Sequence, residues 1–171
     1  MKRALLTLVI VLNLVALDGV VKEVAAKLLK DAAAISVVPG LFNLAYVENR
    51  GCAWGLFQGQ VWPLAVFGIV ALAFLVWKRR SIFEPPKSPR SWLAVAAEPL
   101  LYAGIVGNLV DRVCRGYVID MLDFHWRTHH FPCFNLADSY ICIAVAMLLL
   151  APHFGIIVRN PTRNSNDACR T

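Results

Sequence analysis

Charge is what this chain has least of. Only 16% of its 171 residues are Asp, Glu, Lys or Arg, whereas 58% are hydrophobic, and the mean hydropathy is +0.60. Soluble domains carry about 25% charged residues, so the profile excludes an ordinary water-soluble fold and points to a polytopic membrane protein. Nucleotide-binding signatures are missing: the chain has no Walker A and no GxGxxG pattern. Metal signatures are missing too, with no HExxH and no CxxC pair, so no metal site is expected. The five cysteines, Cys52, Cys114, Cys133, Cys142 and Cys169, are an odd number, which argues against a complete disulfide framework. They read mainly as small apolar residues, with a Cys114–Cys133 bridge as the minor alternative. Ser139 has no evident His and Asp partners, so a serine triad is not indicated.

What the chain does have is four long apolar runs. They extend from about Ala4 to Ala25, Val61 to Trp77, Trp92 to Leu109 and Ser139 to Val158. Each approaches the ~20 residues that a helix needs to cross a bilayer. Trp62, Trp77 and Trp92 flank two of them, where indole rings suit the membrane interface. The first run follows Lys2 and Arg3 and resembles a signal peptide, but no small-x-small cleavage site or lipobox follows, so it reads as an uncleaved first span. The expected architecture is a single membrane-embedded domain, an all-α bundle of four transmembrane helices.

The basic residues lie at the ends of these runs. Lys2 and Arg3 precede the first, Lys78, Arg79, Arg80, Lys87 and Arg90 join the second to the third, and Arg159, Arg163 and Arg170 follow the fourth. Four spans put all three segments on one side, which the positive-inside rule makes cytoplasmic. The net charge of +6 is thereby explained by topology, without a nucleic-acid partner. Glu84 to Arg90, rich in proline, reads as a linker, and the tail over about 160–171 as disordered. On the opposite face, Leu41 to Val47 alternates partly and reads as strand.

The few charges within or beside the apolar runs are the candidates for chemistry, since ionisable groups at membrane depth are costly. Asp18 and Lys22 stand four apart on one helix face, either as a salt bridge or as an anchor for a site. Asn49 begins a turn-like Asn-Arg-Gly-Cys segment. Asn108, Asp111 and Arg112 crowd the end of the third run behind Gly104 and Gly107, which permit close helix approach. Asp138 opens the fourth run, where a carboxylate caps a helix. It also pairs with Asp120 or Asp123 in a second reading, in which two carboxylates share a proton for acid–base work. His125, His129 and His130 read as interfacial. A transporter remains the competing class, with Asp18, Lys22, Asp111 and Arg112 as an ion path, although no inverted repeat is visible.

Taken in order, these segments resemble the lipoprotein signal peptidases (signal peptidase II), bacterial intramembrane aspartic proteases. Asp18-Gly-Val-Val-Lys22 looks like the family's DxxxK, Asn49 to Gly55 its NxGAAxG and Gly107 to Arg112 its GNxxDR. Val118 to Phe124 looks like VVDxxDF and Phe131 to Ser139 like FPxFNxADS. The resemblance implies cleavage of prolipoproteins N-terminal to a diacylglyceryl-modified cysteine, with no cofactor and with Asp120 and Asp138 as the catalytic pair. Asn108, Arg112 and Asn135 would position substrate and pair, and Asp18, Lys22, Asn49 and Asp111 would support the site. It further implies a small extracytoplasmic β-cradle over about 34–60, a gating loop or helix from 112–137 and a working monomer. Globomycin-type peptides are implied inhibitors. The implied location is the inner membrane, with both termini cytoplasmic and the site near the outer face. Cys52 departs from the family pattern, where alanine is usual.

Overall fold

The computed structural model describes residues 2–83, 91–126 and 129–156. Five helices and four strands follow in the order α1 (Lys2–Leu29), β1 (Ile35–Val38), β2 (Phe42–Asn49), α2 (Val61–Trp77), α3 (Arg79–Phe83), α4 (Ser91–Arg115), β3 (Val118–Trp126), β4 (His129–His130) and α5 (Leu136–Ile156). A single 3₁₀ turn, Ala53–Gly55, lies between β2 and α2. α1 and α4 are long and apolar enough to cross a membrane, while α2 and the stretch Leu136–Ala151 of α5 are shorter apolar helices. At ~1.5 Å per residue, the 28 residues of α1 exceed the ~30 Å of a bilayer core.

The helices are inside out compared with those of a soluble protein. Leu5, Leu8 and Leu12 of α1, Val66, Phe67, Val70 and Phe74 of α2, and Leu149 and Leu150 of α5 are exposed. An apolar belt of this extent demands an apolar surrounding. α4 is the central helix, packing on α5, α1, α2 and α3. At one end of the bundle Glu98 of α4 is fully buried, where it accepts from Arg79 and, at 3.2 Å, from Arg3. At the other end lie the C-terminal halves of α1 and α4, the start of α5 and the sheet.

The sheet is antiparallel with strand order β1-β2-β3-β4. β1 turns into β2 through Val38-Pro39-Gly40-Leu41, where Leu41 N–H donates to the Val38 carbonyl at 3.0 Å and Gly40 has φ +77°. Proline followed by a residue of positive φ is the preference of a type II turn. Leu44 and Tyr46 of β2 join Ile119 and Met121 of β3 against Ala25 and Leu29 of α1, so the sheet is mounted on the end of α1. Ala45, Val47 and Asn49 alternate with them and line a cleft on the opposite face.

Several expectations need adjustment. The segment 112–137, read as a gating loop or helix, instead ends α4 and supplies β3 and β4 of the sheet. The cradle therefore draws its strands from two distant parts of the chain rather than from 34–60 alone. α1 and α4 run past the bounds read from hydropathy: Leu29 at the end of α1 packs against Ile119 and Met121 of the sheet, and Asp111 of α4, beyond Leu109, is held by Lys22 of α1. Cys52, Cys114, Cys133 and Cys142 are free thiols, so no Cys114–Cys133 bridge forms. The linker 84–90, the tail 160–171 and the end of the fourth run lie outside the described residues.

Candidate active site

The start of α5 is the pivot of the site. Asn135 precedes the helix, and its Oδ1 accepts from the N–H of Asp138 at 2.9 Å. Asp138 Oδ2 returns the bond by accepting from Asn135 N–H at 3.3 Å. This reciprocal pair is a capping box. The cap is thus Asn135, and Asp138 occupies the first turn, which corrects the reading of Asp138 as the cap itself. Ala137 N–H, another donor left free at the helix start, reaches Asp18 Oδ1 of α1 at 3.0 Å.

Asn135 also joins the two carboxylates. Its Nδ2 donates to Asp120 Oδ1 at 2.7 Å and to Asn108 Oδ1 at 3.2 Å. Asn108 Nδ2 in turn donates to Asp138 Oδ1 at 2.7 Å. Asp120 is held from the sheet side as well, because Asn49 Nδ2 donates to its Oδ2 at 2.9 Å. Asn49 is fixed by accepting from Gly51 N–H at 2.9 Å. Asp120 is buried at 1% exposure, whereas Asp138 is half-buried. Burial first, and the Asp138 charge second, push the Asp120 carboxyl up to about 7, outweighing the amide donors of Asn49 and Asn135 that favour its ionised form.

Behind this pair lies a buried ionic knot. Lys22 Nζ sits 2.7 Å from Asp18 Oδ2, 2.9 Å from Asp111 Oδ2 and 3.3 Å from Asn108 Oδ1. Asp111 also accepts from Arg115 Nε at 3.1 Å and Ile119 N–H at 3.4 Å. The knot fits because position 107 is glycine: a Cβ there would lie 2.8 Å from Asp18 Oδ2 and 3.2 Å from Ala137 Cβ. The salt-bridge and site-anchor readings of Asp18–Lys22 therefore describe one arrangement, in which the cation also fixes Asn108. Arg112 faces the sheet, donating from Nη2 to the Gly51 carbonyl at 3.0 Å and from Nη1 to the Asn108 carbonyl at 3.3 Å.

Asp120 lies on the wall of an open cleft of about 510 Å³ that Asn49, Cys52, Trp54, Phe131 and Cys133 also line. Asp138 adjoins this wall through Asn135. The Cys133 thiol is pushed up to about 12 by burial and then by the nearby Asp120 and Asp123 charges. Asp123 shares the cleft with Asp120 although the two stand three positions apart on the strand. Met121 and Leu122 N–H both donate to the Phe134 carbonyl, at 3.1 and 2.9 Å. Such a bulge breaks the alternation of the strand. Asp123 has different partners from Asp120: burial would raise its carboxyl, but bonds from His130 and Asn43 hold it below the ordinary carboxylate range. Asn43 is not singled out in the sequence, and Cys133 enters there only as a bridge alternative. The signal for Asn43 was its place in a two-residue alternation that ends at Asn49.

All nine of the residues singled out by motif, Asp18, Lys22, Asn49, Asn108, Asp111, Arg112, Asp120, Asn135 and Asp138, thus fall in one connected network at one end of the bundle. Residues 10–154 match the family model described as Signal peptidase (SPase) II. A lipoprotein signal peptidase of Syntrophotalea carbinolica is 42% identical over 147 residues, covering 84% of this chain and 88% of that one. One from Geobacter metallireducens is 36% identical over 165 residues, covering 92% and 96%. A bacterial membrane enzyme solved by the in meso method at 2.3 Å superposes with a TM-score of 0.75 at 29% identity, covering 91% of this chain and 92% of that one.

Proposed function

Because the chain belongs to the signal peptidase II family, we infer that it is a peptidase removing signal peptides from prolipoproteins, and we propose that Asp120 and Asp138 are its catalytic pair. The observation that carries the assignment is the Asn135 bridge between two carboxylates of unlike environment. A buried carboxyl raised to about 7 suits a general acid near neutral pH, and the half-buried Asp138, accepting from amide donors, suits the base.

In this mechanism Asp138 takes a proton from water as the oxygen attacks the scissile carbonyl carbon. Asp120 donates its proton to the carbonyl oxygen, giving a neutral tetrahedral diol. The C–N bond then breaks as the proton held by Asp138 passes to the leaving nitrogen, and a hydroxyl proton returns to Asp120. Asn108, Asn135 and Asn49 hold the carboxylates, Arg112 fixes the Gly51 backbone at the cleft, and Asp18, Lys22 and Asp111 hold α1, α4 and α5 together beneath them.

The substrate side of the proposal is a prolipoprotein whose cysteine carries diacylglycerol, cut on the N-terminal side of that cysteine. Its acyl chains would remain among the membrane lipids while the exposed edge of the cleft receives the peptide. α1, α2, α4 and α5 are proposed as four spans of the bacterial inner membrane, with both termini cytoplasmic, the sheet extracytoplasmic and the monomer as the working unit. Purified protein in detergent should shorten a diacylglyceryl prolipoprotein on a gel, with block by a globomycin-type peptide, and leave the unmodified precursor intact. Equal processing of both precursors would refute the lipid requirement, and processing of neither would refute the activity.

A further inference from the structure

The cleft face of the sheet carries a second cluster that the peptidase network does not use. His125 of β3 pairs in register with His130 of β4, and Asp123 lies two residues before His125 on the same strand. The three side chains consequently share one face. The His125 and His130 rings stack with centroids 4.9 Å apart and planes 18° apart. His130 Nδ1 is 2.8 Å from Asp123 Oδ1, and His125 Nδ1 is 4.0 Å from Asp123 Oδ2.

We propose that Asp123, His125 and His130 form a binding site for a divalent first-row transition ion of the zinc class. One ligand atom from each residue lies within 4.8 Å of the others. A tetrahedral ion with bonds of about 2.0–2.1 Å needs its ligand atoms roughly 3.3 Å apart, so side-chain rotations alone close the group. Two imidazoles and a carboxylate are a donor set suited to zinc and its neighbours rather than to calcium or magnesium, which favour oxygen.

The surroundings fit a site open to solvent. Side-chain exposure is 15% for Asp123 and 10% for His125, against 56% for His130. Two ligands are therefore preset by packing, and the third is reachable by an ion from water. Asn43, opposite Asp123 in register, places its amide 3.1 Å from Asp123 Oδ2 and 3.5 Å from His125 Nδ1. Turned about its terminal bond, that amide would present an oxygen as a fourth ligand; otherwise water fills the position. His129 pairs with Trp126 instead and takes no part. An ion here would tie β4 to β3, and with β4 the Phe131–Cys133 stretch of the cleft wall.

The test uses the full chain without a histidine tag, stripped with chelator in detergent and titrated with Zn²⁺ by calorimetry and Co²⁺ by visible absorption. Binding of one equivalent at a Kd of about 10 μM or tighter is expected. His125→Ala and His130→Ala should each weaken it by at least about 10-fold, and His129→Ala should leave it unchanged. No saturable binding would overturn the site. So would undiminished binding by the His125→Ala/His130→Ala double variant, or a loss confined to His129→Ala. The outcome is independent of peptidase activity.

Discussion

Lys22→Met tests whether one buried cation holds the helices beneath the site. Lys22 is fully buried and is the common partner of Asp18 at 2.7 Å, Asp111 at 2.9 Å and Asn108 at 3.3 Å. Methionine keeps most of the length of the side chain and removes its charge and donors. Breaking a buried ion pair by deleting one partner costs about 3–5 kcal/mol, and here two carboxylates lose the same cation. They are not equally exposed to the loss. Asp111 keeps Arg115 and the Ile119 N–H, whereas Asp18, among the described residues, keeps only the Ala137 N–H. Asp18→Asn added to Lys22→Met should therefore recover about 2 kcal/mol, because an asparagine oxygen still accepts from Ala137. In thermal unfolding in detergent followed by tryptophan fluorescence, the single variant should lose roughly 6–20 °C, at ~2–4 °C per kcal/mol for a chain of this size. A Tm within about 2 °C of the parent, or a double variant less stable than the single one, would show that Lys22 does not hold the helices together.

Three further outcomes concern the groups lining the cleft. With Asp120 raised to about 7 and acting as the acid, kcat/KM should fall on the alkaline side with a midpoint near that value. Asn49→Ala removes an amide donor that favours the ionised carboxylate, so the alkaline limb should move up by about 1 pH unit; movement to lower pH would contradict the assignment. The same group makes stability fall as pH rises from about 4 to about 7, since the folded chain holds a proton that the unfolded chain has released. At pH 7.5 a Cys133 thiol pushed up to about 12 is ionised in only about one part in 10⁴ to 10⁵. N-ethylmaleimide should accordingly inactivate through Cys52 on the cleft wall, with Cys52→Ala protecting. Mass spectrometry showing Cys133 modified first would count against this.

The helices were legible because a bilayer leaves the sequence little choice: apolar runs of about 20 residues have few other uses. The polar network was legible for a related reason, as Asp18 and Lys22, and Asn108, Asp111 and Arg112, are costly where they stand and lie on shared helix faces. The second half of the sheet was not legible. Val118 to Met121 are all buried, so β3 begins without the alternation that marks a half-exposed strand, and the Met121–Leu122 bulge disturbs the remainder of the strand. Its partner Phe42–Asn49 is about 70 residues away in the chain, and no local pattern announces a pairing at that range. The division of labour between Asn135 and Asp138 was hidden in the same way. Both residues suit the start of a helix, and only the reciprocal bonds show which one caps it.

The proposed mechanism assigns the chemistry to Asp120 and Asp138 and none of it to Asp123. Its most direct test is turnover of a purified diacylglyceryl prolipoprotein by Asp120→Asn, Asp138→Asn and Asp123→Asn, each checked for membrane insertion. The first two should each lose at least about 10³-fold in kcat, while Asp123→Asn, whose carboxylate is held by His130 and Asn43 instead, should keep more than about a tenth of the parent rate. Near-parental turnover by either of the first two, or an Asp123→Asn enzyme as inactive as Asp120→Asn, would contradict it.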